Sequence, residues 1–161
     1  MAQPATSPQD PIDAYWEQFL ATLPDEDSRR FRDYTADGFG DNPALADELA
    51  RLISNGVKRA TCSALWAWQA EGEEPPQRGQ LCVVLDGKGA PVCIIETTSV
   101  VVVPFNEVDA AFAHAEGEGD RSLEQWRAGH ERFFTRTLAA RNRRFEPGMP
   151  LVCERFKVIY R

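Results

Sequence analysis

Two apolar segments, Leu81 to Leu85 and Pro91 to Val103, flank Asp86-Gly87-Lys88-Gly89. No other part of the chain limits its fold so strongly. Aspartate and glycine in a short connection supply the dihedrals of a tight hairpin turn. A strand that faces water on one side alternates apolar and polar residues. Here Val83-Val84, Cys93-Ile94-Ile95 and Val100 to Val103 are apolar on successive residues. Such strands need cover on both faces, which predicts a small β-barrel flanked by helices.

The flanking helices are legible. Asp10-Pro11 offers an N-cap and a first-turn proline, and Tyr15, Trp16, Phe19, Leu20 and Leu23 then form one face. A second, acidic helix is expected over about 25–35 with Phe31 and Tyr34. Asn42-Pro43 starts a third, carrying Leu45, Leu49, Leu52 and Ile53 and closed by Asn55-Gly56. A short strand over Ala60 to Leu65 and an aromatic turn with Trp66 and Trp68 follow. Beyond Pro104 a short helix spans Glu107 to Ala115. Ser122-Leu123-Glu124-Gln125 is a capping box for a longer helix to about Ala140, with Leu123, Trp126, His130, Phe133, Thr137 and Leu138 on its apolar side. Leu151 to Tyr160 is the last strand. The order of elements predicts an α+β fold with a tail (1–9), an N-terminal helical extension (10–41) and a main domain (42–161).

At 161 residues, 43% hydrophobic and 27% charged, the chain has ordinary globular composition. It has no apolar run of membrane length, and its polar start does not read as a signal peptide, so the cytoplasm is expected and no membrane partner is. Cys62, Cys82, Cys93 and Cys153 form no C-x-x-C pair and read as buried free thiols. The two histidines are not spaced with them as zinc ligands. The net charge of −7 conceals a basic end, since residues 121–161 carry ten bases against four acids. That end would attract a polyanion locally or pair with the acidic remainder. Arg132, Arg136, Arg143 and Arg144 are its candidate RNA contacts.

Chemistry concentrates at Gly56-Val57-Lys58-Arg59-Ala60-Thr61. An ammonium and a hydroxyl delivered together by a turn can grip a carbonyl or a phosphate. In a continuous strand Lys58 and Thr61 would face opposite ways, so they converge only if the backbone turns between them. The alternative is a surface lysine and a strand-forming threonine. Glu116-Gly117-Glu118-Gly119-Asp120 is a glycine-spaced acidic loop suited to proton transfer or a divalent cation, or else a solvated linker whose Asp120 favours the next helix. Glu96 lies alone among apolar strand residues and needs a partner, for which Lys58 is the obvious choice. His130 reads as a core histidine.

The motif Gly56-x-Lys58-x-x-Thr61 after a helix resembles the hallmark of the ASCH domain, a small β-barrel of the PUA-like superfamily. The resemblance extends to Cys93-Ile94-Ile95-Glu96-Thr97-Thr98, to His114-Ala115-Glu116-x-Glu118 and to Phe156-Lys157-Val158-Ile159, and it covers roughly residues 40–161. The N-terminal helices resemble the extension of longer bacterial members. The resemblance implies an RNA-binding or RNA-modifying module. One small bacterial branch hydrolyses the amide of N4-acetylcytidine with a lysine base, a threonine nucleophile and a glutamate proton donor, which by motif position are Lys58, Thr61 and Glu118. Another member resembles a ribonuclease assisted by a divalent metal such as Mn; otherwise no cofactor is implied.

Two readings follow. In the first, a nucleoside or nucleotide enters a pocket built on Lys58, Thr61 and Glu118. Gly56, Arg59, Ser63, Trp66, Trp68, Glu96, Glu116 and Asp120 are then candidate ligand contacts, and the tryptophans would stack on the base. In the second, the chain is a non-catalytic RNA-binding module whose arginines track phosphate. Lysine near its ordinary pKa of about 10.4 is a poor base at neutral pH, so several carboxylates around Lys58 would make it a charged clamp instead.

Overall fold

The structure, a computed structural model, describes residues 10–161, so the expected tail lies outside the described residues. Five strands form one sheet in the order β1-β3-β4-β5-β2: β1 (Tyr34–Gly38), β2 (Ala60–Ala64), β3 (Leu81–Leu85), β4 (Pro91–Pro104) and β5 (Pro150–Tyr160). Only β1 and β3 run parallel. The long β4 pairs β3 through its first half and β5 along most of its length. Its register shifts at Ile94/Ile95 and between Thr97 and Ser99, and such irregularities raise local twist. The sheet therefore curls into the half-barrel of an α+β, PUA-like fold.

In β3 and the first part of β4 successive apolar residues do face two separate cores, whereas Val101 and Val102, expected to be covered as well, are 56% and 52% exposed. Leu81, Val83 and Ile94 pack with Trp16 and Phe19 of helix α1 (Pro11–Thr22). Val84, Cys93 and Ile95 pack on the other face with Ala50 and Ile53 of α2 (Pro43–Ser54). A third cluster joins α4 (Ala110–Glu116) and α5 (Leu123–Ala139) to β2 and β5 through Phe112, Trp126, Phe134 and Leu151. Asp10 accepts from the Ile12 N–H, Asn42 from Leu45 and Ser122 from Gln125 as expected. The return half of the capping box is not made, because the Ser122 amide donates to Asp120 and Gln125 accepts from the Asp120 amide.

Several local expectations are corrected. The stretch expected as a second acidic helix is a 3-10 turn (Ser28–Phe31) followed by the edge strand β1. Phe31 and Tyr34 mimic a helical pair, but Phe31 points into solvent while Tyr34 stacks on Trp16 with ring centroids 4.2 Å apart. The aromatic turn is a short helix, α3 (Leu65–Glu71), whose Gly72 takes the left-handed cap conformation. Glu107 ends a 3-10 turn, and α4 starts only after its N-cap Asp109. On α5 the core position belongs to Phe134, not Phe133. All four cysteines are free thiols, two of them buried. Among the described residues no helix is long and apolar enough to cross a membrane.

Candidate functional site

The α2 helix ends in a tight reversal. Gly56 adopts φ 75°, and the amides of Val57 and Lys58 both return to the Leu52 carbonyl oxygen. The next residue is then pinned across the molecule: the Arg59 amide donates to Ala115 and the Arg59 carbonyl accepts from Phe156. This turn, completed before β2 begins, puts Lys58 and Thr61 on one cavity. The acidic loop is held against it from the other side. Gly117, at φ 73°, lies so near Val57 that any side chain there would collide with backbone. The glycine thus lets the loop approach the motif turn.

Lys58 is 1% exposed. Its Nζ donates to the Ala60 carbonyl at 2.9 Å, the Glu116 carbonyl at 3.3 Å and Glu118 Oε1 at 2.7 Å. Three acceptors match the three N–H bonds of an ammonium. A buried cation is stable only when paired and fully hydrogen-bonded, and this one is both. Its partner Glu118 stays 39% exposed at the cavity.

Glu116 is equally buried, at 1%. Its Oε2 meets His130 Nε2 at 3.0 Å. Burial raises the Glu116 pKa, but the hydrogen bond from His130 and the charge of Lys58 outweigh it and leave the carboxyl below its ordinary value. Burial likewise works against charge on His130, and its bond to Glu116 overcomes this and lifts the imidazole. The two groups thus favour each other's charged form. Cys62 faces them, its thiol pushed well up by burial and then by the Glu116 charge. Among the described residues Cys62, Glu116 and His130 are the group of metal-ligating types whose donor atoms lie within 4.8 Å of one another. The all-oxygen set expected for an Mn-assisted nuclease is not assembled. Glu118 turns to Lys58, Glu116 to His130, and Asp120 to the Ser122 amide at 2.8 Å.

These groups share a cavity of about 410 Å³. One wall carries Lys58, Thr61, Cys62, Glu116 and Glu118, and the other carries Phe39 and Asp41 from the connection after β1 and Leu45 and Leu49 from α2. The α5 helix closes the third side with His130, Phe133 and Arg136, the last paired to Asp41. A cleft of about 220 Å³ adjoins it, sharing Glu116, Glu118 and His130 and adding Arg132. A separate cavity of about 200 Å³, lined by Val101, Val103, Phe112 and Arg155, holds none of the motif residues.

Other expected contacts lie elsewhere. Glu96 pairs with Arg32 at 3.4 Å and Lys157 at 3.7 Å, not with Lys58. Gly56 and Arg59 shape the turn through backbone and are exposed. Ser63 accepts from Trp68 Nε1 at 2.9 Å, and Trp66 carries the Arg143 guanidinium 4.6 Å from its ring centroid. Neither tryptophan lines the cavity, and Arg144 is simply exposed. Sequence reasoning missed Phe39, Asp41 and Cys62 as lining residues and read His130 and Phe133 as core. Only the helical spacing His130, Phe133, Arg136 carried a signal, since those three share one face.

A curled half-barrel with a cavity between its motif turn and its helices defines a PUA-like α+β domain. A family model for the ASCH domain matches residues 35–160. The chain belongs to the ASCH domain family, a PUA-like family thought to bind RNA. It is similar to an ASCH domain from Lactobacillus crispatus, at 37% identity and TM-score 0.90 over 100% of both chains. It is also similar to a protein from Enterococcus faecalis, at 35% identity and TM-score 0.81 over 93% of this chain and 88% of that one. A hypothetical protein, PH0355, shares the fold alone, at 15% identity and TM-score 0.53 over 79% of this chain and 100% of that one. No curated protein matches.

Proposed function

We propose that the chain binds one nucleotide of a short single-stranded RNA, or a free nucleoside or nucleotide, in the 410 Å³ cavity. The observation that carries this reading is that two phenylalanines and the Lys58–Glu118–Thr61 group line the same space. A nucleobase has apolar faces and a polar edge. Phe39 and Phe133 suit the faces, and Thr61 and Glu118 suit the edge. Arg136 and Arg132, at the cavity and its adjoining cleft, suit phosphate. Because Arg136 is held by Asp41, a phosphate would exchange one anionic partner for another. Lys58 acts as a clamp: its three hydrogen bonds hold it in place, and it fixes Glu118 for the ligand.

That Thr61 and Glu118 line one cavity also supports a hydrolytic version. In it Thr61 Oγ1 attacks the amide carbon of an N4-acylated cytidine and Glu118 takes the hydroxyl proton. Glu118 then returns it to the leaving amine, and water releases the acid from the acyl-threonine. The experiment is a titration of the protein with labelled short RNA and with nucleosides, run beside incubation with N4-acetylcytidine. Saturable binding that is lost in Glu118→Gln and in Phe133→Ala supports the pocket. Acid release no greater than in Lys58→Ala removes the hydrolytic version and leaves binding alone.

A further inference from the structure

We infer that Cys62, Glu116 and His130 form a binding site for one zinc-class divalent cation, with a remaining coordination position open to the cavity. The three donors come from β2, α4 and α5, so the sequence gives no spacing signature, yet the fold gathers their ligand atoms within 4.8 Å of one another. Clustering alone would carry little. The independent observation is Glu116 Oε1: on a side chain that is 1% exposed it makes no hydrogen bond of normal geometry, and the Cys62 thiol beside the carboxylate is a weak donor. A buried charged oxygen without a partner is costly and calls for an explanation such as an ion.

The orientation of His130 fits a ligand. Its Nδ1 lies 2.9 Å from the Trp126 carbonyl oxygen. A carbonyl only accepts, so Nδ1 carries the hydrogen, and Nε2 is the nitrogen presented to Glu116 and Cys62. Metal-binding histidines are commonly fixed in this way, by a carbonyl behind the ring. The Trp126 indole, stacked on the imidazole at 4.2 Å between centroids, holds the ring plane.

The donor set selects the metal. One thiolate, one imidazole and one carboxylate suit zinc or cobalt, whereas magnesium, calcium and manganese prefer oxygen alone. Three protein ligands with a fourth position facing a cavity is the arrangement of zinc sites that bind a water or a substrate group. Thr61 and Glu118 line that same cavity. The Cys62 thiol gives up its proton on binding the cation, as a thiol ligand must. Lys58 is already matched to Glu118 and need not move.

The site is independent of what fills the cavity, so nucleoside binding is measured in parallel on chelator-treated, metal-free protein. That protein is titrated with Co²⁺ and then Zn²⁺. The expected result is one Co²⁺ per chain with a sulfur-to-cobalt charge-transfer band, erased by one equivalent of Zn²⁺, and a Zn²⁺-dependent rise in Tm. Cys62→Ser should abolish the band and weaken binding by about tenfold or more, and His130→Gln should weaken it similarly. Cys153→Ser, which alters the cross-strand neighbour of Cys62, should leave the band intact. The wild-type spectrum and stoichiometry decide the matter even if a variant fails to fold. No stoichiometric Co²⁺ binding, a band that survives Cys62→Ser, or one that disappears in folded Cys153→Ser would overturn the assignment.

Discussion

Gly117 and Val57 meet backbone to backbone: a Cβ on Gly117 would sit 2.5 Å from the Val57 carbonyl oxygen. That contact is how a residue 60 positions away brings its carboxylate to Lys58. Gly117→Ala combines a left-handed φ with a clash against a main chain that cannot turn aside. It should cost about 2–4 kcal/mol in urea unfolding. Gly56→Ala, at a similar φ but with nothing within 4 Å, should cost only about 1–2 kcal/mol. Equal losses would mean that the contact does not set the loop.

Lys58→Met keeps most of the buried length of the side chain but strands the Ala60 and Glu116 carbonyls. Stability should fall by about 1–3 kcal/mol, the cost of unpaired buried acceptors. Nucleoside affinity should also fall, because Glu118 loses its tether. A double-mutant cycle with Glu118→Gln should return a coupling of about 1 kcal/mol, as contacting residues do. Additive effects would separate the two residues functionally.

Phe133 and Phe134 are adjacent and should behave oppositely. Phe133 is 38% exposed and lines the cavity, while Phe134 is 1% exposed in the core. Phe133→Ala should leave unfolding within about 1 kcal/mol of wild type and weaken base binding by about 1–3 kcal/mol, the worth of an aromatic stack. Phe134→Ala should instead cost about 3–5 kcal/mol of stability. Calorimetric unfolding and ligand titration on both variants check the contrast.

Glu154 gives a pH dependence of definite sign. Burial raises its pKa, opposed in part by the hydrogen bond from the Thr97 hydroxyl at 2.7 Å. The protonated form is therefore favoured in the folded state. Its contribution is present below the ordinary carboxyl range and is lost as pH rises through the folded value. Glu154→Gln keeps an acceptor for Thr97 and should flatten that decline in the urea midpoint between about pH 4.5 and neutrality. A decline of unchanged depth would assign it to another group.

Both faces of the β3–β4 hairpin, the capped helices and the closing strand were legible because each rests on local periodicity or a cap. Tyr34–Gly38 was not. As an edge strand with three exposed central residues it has no alternation to read, and its pairing with β3 is decided by tertiary contact. The turn that delivers Lys58 was readable from Asn55-Gly56, whereas its partner Glu118 was named only through the family resemblance and not by the residues themselves. A carboxylate on the same sheet, Glu96, looked as suitable as Glu118 until the fold set them apart. His130, Glu116 and Cys62 come from three separate segments, so no spacing rule could join them.

The cavity has walls of separate origin, with the charged groups on the motif turn and acidic loop and Phe39, Asp41, Leu45 and Leu49 on a different stretch of chain. The two stretches can accordingly change independently in evolution. Exchanging residues 39–49 would retarget such a scaffold toward a new guest while its ionic machinery stayed as it is.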